Sequence, residues 1–303
     1  MANPRQLDKR RKSIKNIRKI TRTMELIATA RFKQAMDRAA AATAYTQRMT
    51  QLVADLAQSG LEVSHPLLEA REKTEKGVLL VLSANRGLCG GYNSNIVRLA
   101  QAKQRELSLE VPDLDVVVSG KRGINGLKFR GVPIDDTYTH FEDKPAYEEV
   151  EAIADQLLDS YATGKLDRLD VVYTQFHTVA RQEAVVETLL PLGSLDVGKA
   201  DEKPQKPGTA KQSSGAPAKM YDFLPSAESI LEEVVPTSFK IKLFKCFLDA
   251  AVSEQVARMV AMKAATDAAG DMIKAISREY NRARQARITN EIMEVISGTE
   301  ALA

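Results

Sequence analysis

The chain has 303 residues, 44% of them hydrophobic and 27% charged, which is typical of a folded protein and excludes a disordered one. No apolar run reaches the ~18–20 residues that cross a bilayer, and no apolar signal segment follows Met1, so we expect neither a membrane span nor a leader. The net charge of +3 is unevenly spread, because residues 1–50 hold 13 Lys and Arg against three acidic residues.

The two ends of the chain have the composition of long continuous helices. Residues 5–65 contain no proline and their first glycine is Gly60, while residues 237–297 contain no proline and only Gly270. A helix of ~60 residues is about 90 Å long, several times a usual globular helix. Because the middle of the chain separates the two arms, we expect them to pair antiparallel. A plain amphipathic helix on a globular core is the alternative, and it explains the spacing of apolar residues but not the length.

Apolar residues recur at helical spacing in both arms and define a predicted seam. In the first arm they are Leu7, Ile14, Ile17, Ile20, Met24 and Ile27, after which the seam shifts to Ala28, Phe32, Ala35, Ala39 and Ala42. In the last arm they are Leu243, Phe247, Ala250, Ala257, Ala261, Ala264, Ala268, Met272, Ile276, Tyr280, Ala283, Ile288, Ile292 and Val295. The alanines predict close approach of the helices and an imperfect supercoil.

The middle of the chain changes to the pattern of a small α/β domain. Short apolar runs predict strands at 77–83, 115–119, 133–140, 169–174 and 183–190, the last pairing antiparallel at an edge. Helices are predicted at 94–109 and 146–162, with turn residues from 120 to 126. Strands that alternate with helices favour a mostly parallel sheet.

The predicted fold class is therefore α/β: a long antiparallel α-helical coiled coil formed by the N- and C-terminal arms, plus a small domain with a mostly parallel sheet. We place the first coiled-coil helix at 1–62, the α/β domain at 63–225 with a flexible linker at 198–219, and the last coiled-coil helix at 226–303. A short helix at 226–235 is expected between two prolines, and Gly298 is expected to end the last arm.

No stretch of the sequence carries a catalytic motif. Residues 87–93 (GLCGGYN) follow a strand, where phosphate loops lie, but they lack both the Lys-Ser/Thr of a Walker A loop and the G-x-G-x-x-G spacing. The three histidines are scattered and match neither a partner for Cys89 nor metal-ligand spacing. The two lone cysteines, Cys89 and Cys246, favour a reduced cytoplasmic protein. A small α/β enzyme with a phosphate-binding glycine loop stays open as an alternative.

The basic first arm leaves a second alternative. Such a stretch is suited to nucleic acid, an anionic lipid surface or an acidic protein sleeve. Residues 9–22 resemble the basic region of a DNA reader joined to a zipper. That class needs a leucine seam for dimerisation, whereas this seam is Ile, Met and Ala and is expected to pair with the chain's own last arm. We therefore expect no nucleic-acid partner.

Three blocks of sequence resemble the gamma subunit of F-type ATP synthases, the central rotor shaft. They are KITRTMELIA at 19–28, NRGLCGGYN at 85–93, and SEQVARMVAMKAATD at 253–267 together with YNRARQARITNEI at 280–292. With the predicted layout they cover essentially the whole chain, and the last block is highly specific. The resemblance implies a non-catalytic subunit, without cofactor or metal, that couples transmembrane ion flow to ATP synthesis or hydrolysis.

The resemblance also implies partners and contact residues. The partners are the alpha and beta subunits of the catalytic ring, the epsilon subunit and the ring of c subunits, at the cytoplasmic face of a bacterial inner membrane. Met24, Arg258, Gln285 and Thr289 match positions that face the catalytic ring, although Met24 also fits the apolar seam. Tyr221 and Phe223 match the foot that faces epsilon or the c ring.

Two departures from the family pattern stand out. Arg287 replaces a residue that is often smaller, and the polar insertion at 198–219 is longer than usual. Plastid relatives carry a thiol switch on an insert, but this insertion has no cysteine, so we predict no thiol regulation.

Overall fold

The computed structural model describes residues 4–58, 67, 71, 73–141, 144–192 and 227–300. Within these ranges the elements are α1 (Pro4–Gln58), β1 (Lys76–Leu82), α2 (Tyr92–Glu110), β2 (Asp113–Ser119), α3 (Lys121–Phe129), β3 (Asp136–Tyr138), α4 (Tyr147–Ala162), β4 (Arg168–Thr178), β5 (Arg181–Leu190) and α5 (Ala227–Glu300). The terminal helices have 55 and 74 residues, which confirms the two predicted helical arms. Among the helices described here, none is both long and apolar enough to cross a membrane.

Five strands form one mixed sheet in the order β3-β2-β1-β4-β5. The central strand β1 pairs in parallel with β2 and β4, and β2 pairs in parallel with β3. The edge strand β5 runs antiparallel to β4, as the alternating pattern of residues 183–190 predicts. Leu79 and Val81 of β1 are fully buried, because a central parallel strand is covered on both faces.

The chain divides into two compact units. The arm unit comprises Met1–Phe32, Leu88–Gly90 and Gln255–Ala303, and the sheet unit comprises Lys33–Gly87 and Gly91–Glu254. The sheet unit therefore includes the first part of α5 as far as Glu254.

In the sheet unit, α5 is packed into the hydrophobic core. The core includes Leu80, Tyr161, Val171, Leu190, Phe239 and Leu243. Polar contacts add to this packing: the Tyr92 hydroxyl donates to the Ala250 carbonyl at 3.1 Å, and the Ser253 hydroxyl donates to the Thr174 carbonyl at 3.2 Å. Directed hydrogen bonds of this kind fix the rotation of the helix on the sheet in a way that apolar contact alone does not.

The start of α5 differs from the prediction. Instead of a short helix that ends before Pro236, one helix runs through this proline to Glu300. A proline inside a helix costs about 3 kcal/mol. Here Val235 and Phe239 are 1% and 0% exposed, and burying such side chains contributes about 1.5–3 kcal/mol each, which offsets the defect. Gly298 likewise does not end the helix, since one helical glycine costs only about 1 kcal/mol.

The predicted turn at 120–126 is also wrong, because α3 begins at Lys121. The glycines there serve close packing rather than chain reversal. A Cβ on Gly123 would lie 2.3 Å from Ser83 Oγ, and one on Gly126 would lie 2.9 Å from Val97 Cγ2. Of the three glycines at 120, 123 and 126, Gly120 alone has the positive φ of a turn residue, 101°.

Candidate partner-contacting surface of the arms

Within the arm unit, α1 and α5 lie antiparallel. The Arg11 guanidinium lies 4.7 Å from the ring centre of Tyr280, and the hydroxyls of Thr21 and Thr266 are 2.9 Å apart. Between these two contacts, the Arg18 guanidinium lies beside Gly270. As the residue number rises along α1 it falls along α5, which confirms the predicted antiparallel pairing.

The buried side of α1 follows a regular heptad that starts at Leu7. Its positions, alternately four and three residues apart, are Leu7, Arg11, Ile14, Arg18, Thr21, Glu25, Ala28 and Phe32. We call these residues the α1 seam. Leu7, Glu25 and Ala28 are 8% exposed or less, Arg11, Ile14, Thr21 and Phe32 are half-buried, and Arg18 is exposed but reaches Gly270. The heptad continues in the sheet unit with buried Ala35 and Ala39.

The predicted apolar seam of α1 is therefore wrong in its middle part. Ile17, Ile20, Met24 and Ile27 are 49%, 57%, 37% and 48% exposed. Each directly precedes a position of the α1 seam, so the four lie on a neighbouring face, turned by about 100° around the helix. We call them the α1 outer stripe. Apolar spacing shows that one face of a helix is apolar, but it does not show what covers that face.

The predicted seam of α5 is right in part. Ile276 is buried, and Tyr280 and Ala283 are half-buried, whereas Ala264, Ala268 and Met272 are exposed. The buried positions between them are Met262, Thr266 and Ala269. Beyond Arg287 every described side chain is exposed, and these include Ile288, Ile292, Met293, Val295 and Ile296 at 45–67%. A row of exposed large apolar side chains on one helix is typical of a contact with another protein.

The residues predicted to meet partners fall into two groups. Met24 lies on the α1 outer stripe, Arg258 of α5 is half-buried, and Gln285 and Thr289 are exposed one helical turn apart on α5. Tyr221 and Phe223 lie outside the described residues, as does the linker at 198–219. Arg287, a departure from the family pattern, forms an ion pair with Glu291 at 2.7 Å.

A cavity of about 390 Å³ lies where the start of α1 meets the distal part of α5. Arg5, Asp8, Tyr280, Arg284 and Glu291 are among its lining residues. Lys12 and Arg11 donate hydrogen bonds to Asp8 and hold the pKa of this carboxyl below its usual range. With Arg287, the lining holds three arginines against the two carboxylates of Asp8 and Glu291, and this excess of positive charge suits the surface to acidic groups of a partner.

The start of α3, directly after Gly120, does not form a phosphate site. The first three N–H groups of this helix are already bonded: Lys121 to Asn85 Oδ1 at 3.0 Å, Arg122 to the Ala84 carbonyl at 3.0 Å, and Gly123 to Ser83 Oγ at 2.9 Å. Free N–H groups at a helix start are what binds phosphate. The chain's own loop therefore occupies the position that an anion would take.

Neither cysteine lies in a reactive setting. Neither Cys89 nor Cys246 forms a disulfide bond, and each is 2% exposed. Burial raises the pKa of Cys246 well above its ordinary value, and the nearby carboxylate of Glu187 acts in the same direction. In the part of the chain that the structure covers, no group of His, Cys, Asp and Glu side chains is arranged to hold a metal ion.

Two long antiparallel helical arms that expose apolar and basic faces, in a chain that also forms a small α/β domain, are typical of a protein that binds other protein subunits. A sequence model described as ATP synthase matches residues 3–302. The chain is 64% identical over 302 residues to the ATP synthase gamma chain of Rhodopirellula baltica, covering 100% of this chain and 99% of that one. It is 38% identical to the gamma chain of Leptospira biflexa, covering 100% of both. The chain belongs to the ATP synthase gamma-chain family.

The fold comparison agrees with this assignment. A chain in the cryo-EM structure of Euglena gracilis mitochondrial ATP synthase, OSCP/F1/c-ring, rotational state 3, is similar with a TM-score of 0.64 at 19% identity. The match covers 99% of this chain and 94% of that one. At this identity the likeness concerns the fold, which the two chains share along almost their whole length.

Proposed function

We propose that this chain is the central rotor stalk of an F-type ATP synthase. In this role it couples ion flow across the membrane to conformational changes at catalytic sites on other subunits. The observation that carries the proposal is the 64% identity to a gamma chain over the full length. The arms support it physically, since a shaft needs stiff helices and an outer face that a surrounding sleeve can contact.

The partners in this role are the alpha and beta subunits around the arms, and the epsilon subunit and c ring at the sheet domain. The chain itself carries no catalytic site. The bonded N–H groups at the start of α3 support this, because they leave no phosphate cradle there. Isolated chain should therefore hydrolyse no ATP, and turnover by the pure chain would contradict this part of the proposal.

Met24, Arg258, Gln285 and Thr289 are proposed to face the catalytic ring. Their support is exposure: Met24 is 37% exposed, and Gln285 and Thr289 are exposed on α5. Cysteines at 24, 285 and 289 should react with a maleimide in the free chain and be protected in the complex, while a control cysteine at exposed Ser108 of α2 stays reactive. The native thiols are buried and do not interfere. Equal reactivity in both states would remove these residues from the contact.

We further propose the bounds 1–62, 63–225 and 226–303 for the two coiled-coil helices and the α/β domain, with a flexible linker at 198–219. Limited proteolysis of the full chain should cut first inside 198–219, since exposed polar segments are cut before packed helices. We propose the cytoplasmic face of the bacterial inner membrane as the location. Curated relatives from bacteria support this. The chain should sediment with membranes and be released without detergent.

The decisive experiment is co-purification from native membranes with a tag inserted in 198–219, with an untagged strain as control. Recovery of alpha, beta and epsilon subunits in a fixed ratio with ATPase activity is the expected result. Recovery of the chain alone, or with nucleic acid in a salt-dependent manner, would overturn the rotor assignment and return the basic first arm to the nucleic-acid alternative.

A further inference from the structure

The α1 seam is polar where a paired helix is usually most apolar. Between Ile14 and Ala28, its three positions are Arg18, Thr21 and Glu25. The α1 outer stripe supplies three Ile and one Met on the neighbouring face, and these stay exposed. Between Ile14 and Ala28, α1 therefore turns polar residues toward α5 and apolar residues away from it.

Two contacts of the polar seam residues cross from α1 to α5 and therefore depend on the alignment of the helices. The hydroxyls of Thr21 and Thr266 lie 2.9 Å apart and share one hydrogen bond between the helices. Each hydroxyl also lies within hydrogen-bond distance of a carbonyl of its own helix, Thr21 at 3.1 Å from Arg18 and Thr266 at 2.8 Å from Met262. Thr266 is 7% exposed. The Arg18 guanidinium lies beside Gly270, where the missing side chain leaves room for it.

Glu25 is the member of the α1 seam whose burial is the most unfavourable. It is 8% exposed, and its Oε1 accepts a hydrogen bond from Arg22 at 2.7 Å. Its Oε2 is buried and has no hydrogen-bond partner among the described residues. A buried carboxylate with one oxygen that lacks a hydrogen bond destabilises the pairing of α1 with α5. The presence of Glu25 in the seam therefore has an explanation other than a gain in stability.

A second possible arrangement of the two helices, in which α1 is rotated on α5, explains the presence of Glu25 in the seam. Because each residue of the α1 outer stripe directly precedes a seam residue, rotating α1 by about 100° would place Ile17, Ile20 and Met24 against α5 in place of the polar residues. Hydrophobic burial alone favours that rotated state. It would bring the polar seam outside and hide the apolar stripe.

We propose that the polar layer formed by Thr21, Glu25 and Thr266 fixes the rotation and register of α1 on α5 and so keeps the α1 outer stripe exposed. The three act as positioning residues. In the rotated state the Thr21–Thr266 hydrogen bond is lost, and polar groups in a helix seam specify one alignment at a cost in stability. The inference concerns the arms alone and stands without the proposed function.

The test is a distance measurement by pulsed electron paramagnetic resonance on the full chain. Spin labels are attached through Lys19→Cys on α1 and Lys274→Cys on α5, two exposed positions outside the seam. Both native cysteines are buried and remain unlabelled. Since a helix with its side chains is about 10–12 Å across, a rotation of 100° moves a surface label by about 8 Å.

The test variant combines Thr21→Val, Glu25→Leu and Thr266→Val. The control combines Thr23→Val, Glu279→Leu and Thr299→Val, which make the same chemical changes at exposed positions. Wild type and control should give one narrow distance distribution. The test variant should give a displaced or second distance, and the same single distance as wild type would overturn the proposal.

Thr266→Val alone covers the case in which the triple variant does not fold. It removes one buried hydroxyl and should broaden the distance distribution, while Thr266→Ser, which keeps the hydroxyl, should restore the wild-type distribution. A Thr266→Val distribution as narrow as that of wild type would equally overturn the proposal, because the hydroxyl would then have no part in the alignment.

Discussion

The phenol of Tyr173 donates a hydrogen bond to the carboxylate of Glu187 at 2.6 Å, and the thiol of Cys246 lies 3.9 Å from the same oxygen. In the sheet unit, β4, β5 and α5 thus meet at one polar cluster within the core. Burial raises the pKa of Cys246 well above its ordinary value of 9.0 and also raises the pKa of Tyr173. Both groups therefore keep their protons in the folded chain.

This cluster makes stability depend on alkaline pH. Because the pKa of Cys246 is raised in the folded chain, the unfolded chain releases this proton at lower pH than the folded chain does. The contribution of Cys246 to the free energy of unfolding is therefore fully present below about pH 8 and is lost as pH rises through 9 toward the folded pKa. We expect the urea midpoint to fall over this range. Cys246→Ala should reduce the slope, and Glu187→Gln should reduce it less, because the carboxylate is only one cause of the shift. An unchanged slope in Cys246→Ala would assign the alkaline loss to other groups.

The buried hydroxyl of Ser253 gives a second prediction. Ser253 is 0% exposed and donates to the Thr174 carbonyl of β4. Ser253→Ala should lower the free energy of unfolding by about 1 kcal/mol, the usual net contribution of one buried hydrogen bond. The control is Ser108→Ala on α2, an exposed serine whose hydroxyl bonds its own helix at Gln104; this change should stay within about 0.5 kcal/mol. Urea unfolding compares the two, and equal effects would mean that the Ser253 contact is dispensable.

Gly120 and Gly131 separate backbone strain from steric clash. Both have positive φ, 101° and 72°, but a Cβ on Gly120 would lie 2.1 Å from the Ser83 carbonyl oxygen, while one on Gly131 would meet nothing within 4 Å. Gly131→Ala should cost about 1–2 kcal/mol from conformation alone. Gly120→Ala adds the clash with the backbone and should cost more than ~3 kcal/mol, enough to lower the yield of folded protein. Thermal unfolding tests this. Similar losses of stability in the two variants would show that the backbone near Ser83 moves away from the added Cβ at little cost.

The sequence predicted the arms and the sheet because long runs free of proline and alternating elements are strong local signals. It missed the start of α5 and the helix α3 for a tertiary reason. The free energy gained by burying Val235 and Phe239 exceeds the cost of Pro236 inside the helix. The glycines of α3 are needed because Ser83 and Val97, which are distant in sequence, pack against them. Local propensity contains neither contact.

The α1 surface was missed for a different reason. Periodicity located an apolar face correctly, but it took that face as the one that pairs with α5. Thr21 and Glu25 are polar and were not among the predicted seam positions, and only the contact of Thr21 with Thr266 and the burial of Glu25 identify them as seam residues. The sequence signal that could have found this seam was the strict heptad spacing from Leu7, in which Ile14 and Ala28 flank the polar Arg18, Thr21 and Glu25.

A matched pair of isoleucines tests the assignment of the two faces. Ile276 of α5 is 6% exposed, whereas Ile20 of the α1 outer stripe is 57% exposed. In the free full chain, Ile276→Ala should lower the free energy of unfolding by about 2–5 kcal/mol, which is the range for truncating a buried side chain. Ile20→Ala should lower it by less than ~1 kcal/mol, because the side chain is exposed. In the assembled complex, Ile20→Ala should weaken retention of the chain more than Ile276→Ala does. The reason is that a partner that covers the stripe loses contact when Ile20 is truncated. Thermal unfolding of the free chain and retention of the chain in the complex measure the two effects. If Ile20→Ala destabilised the free chain as much as Ile276→Ala, the stripe would be buried between the helices, and the polar seam would have to face outward.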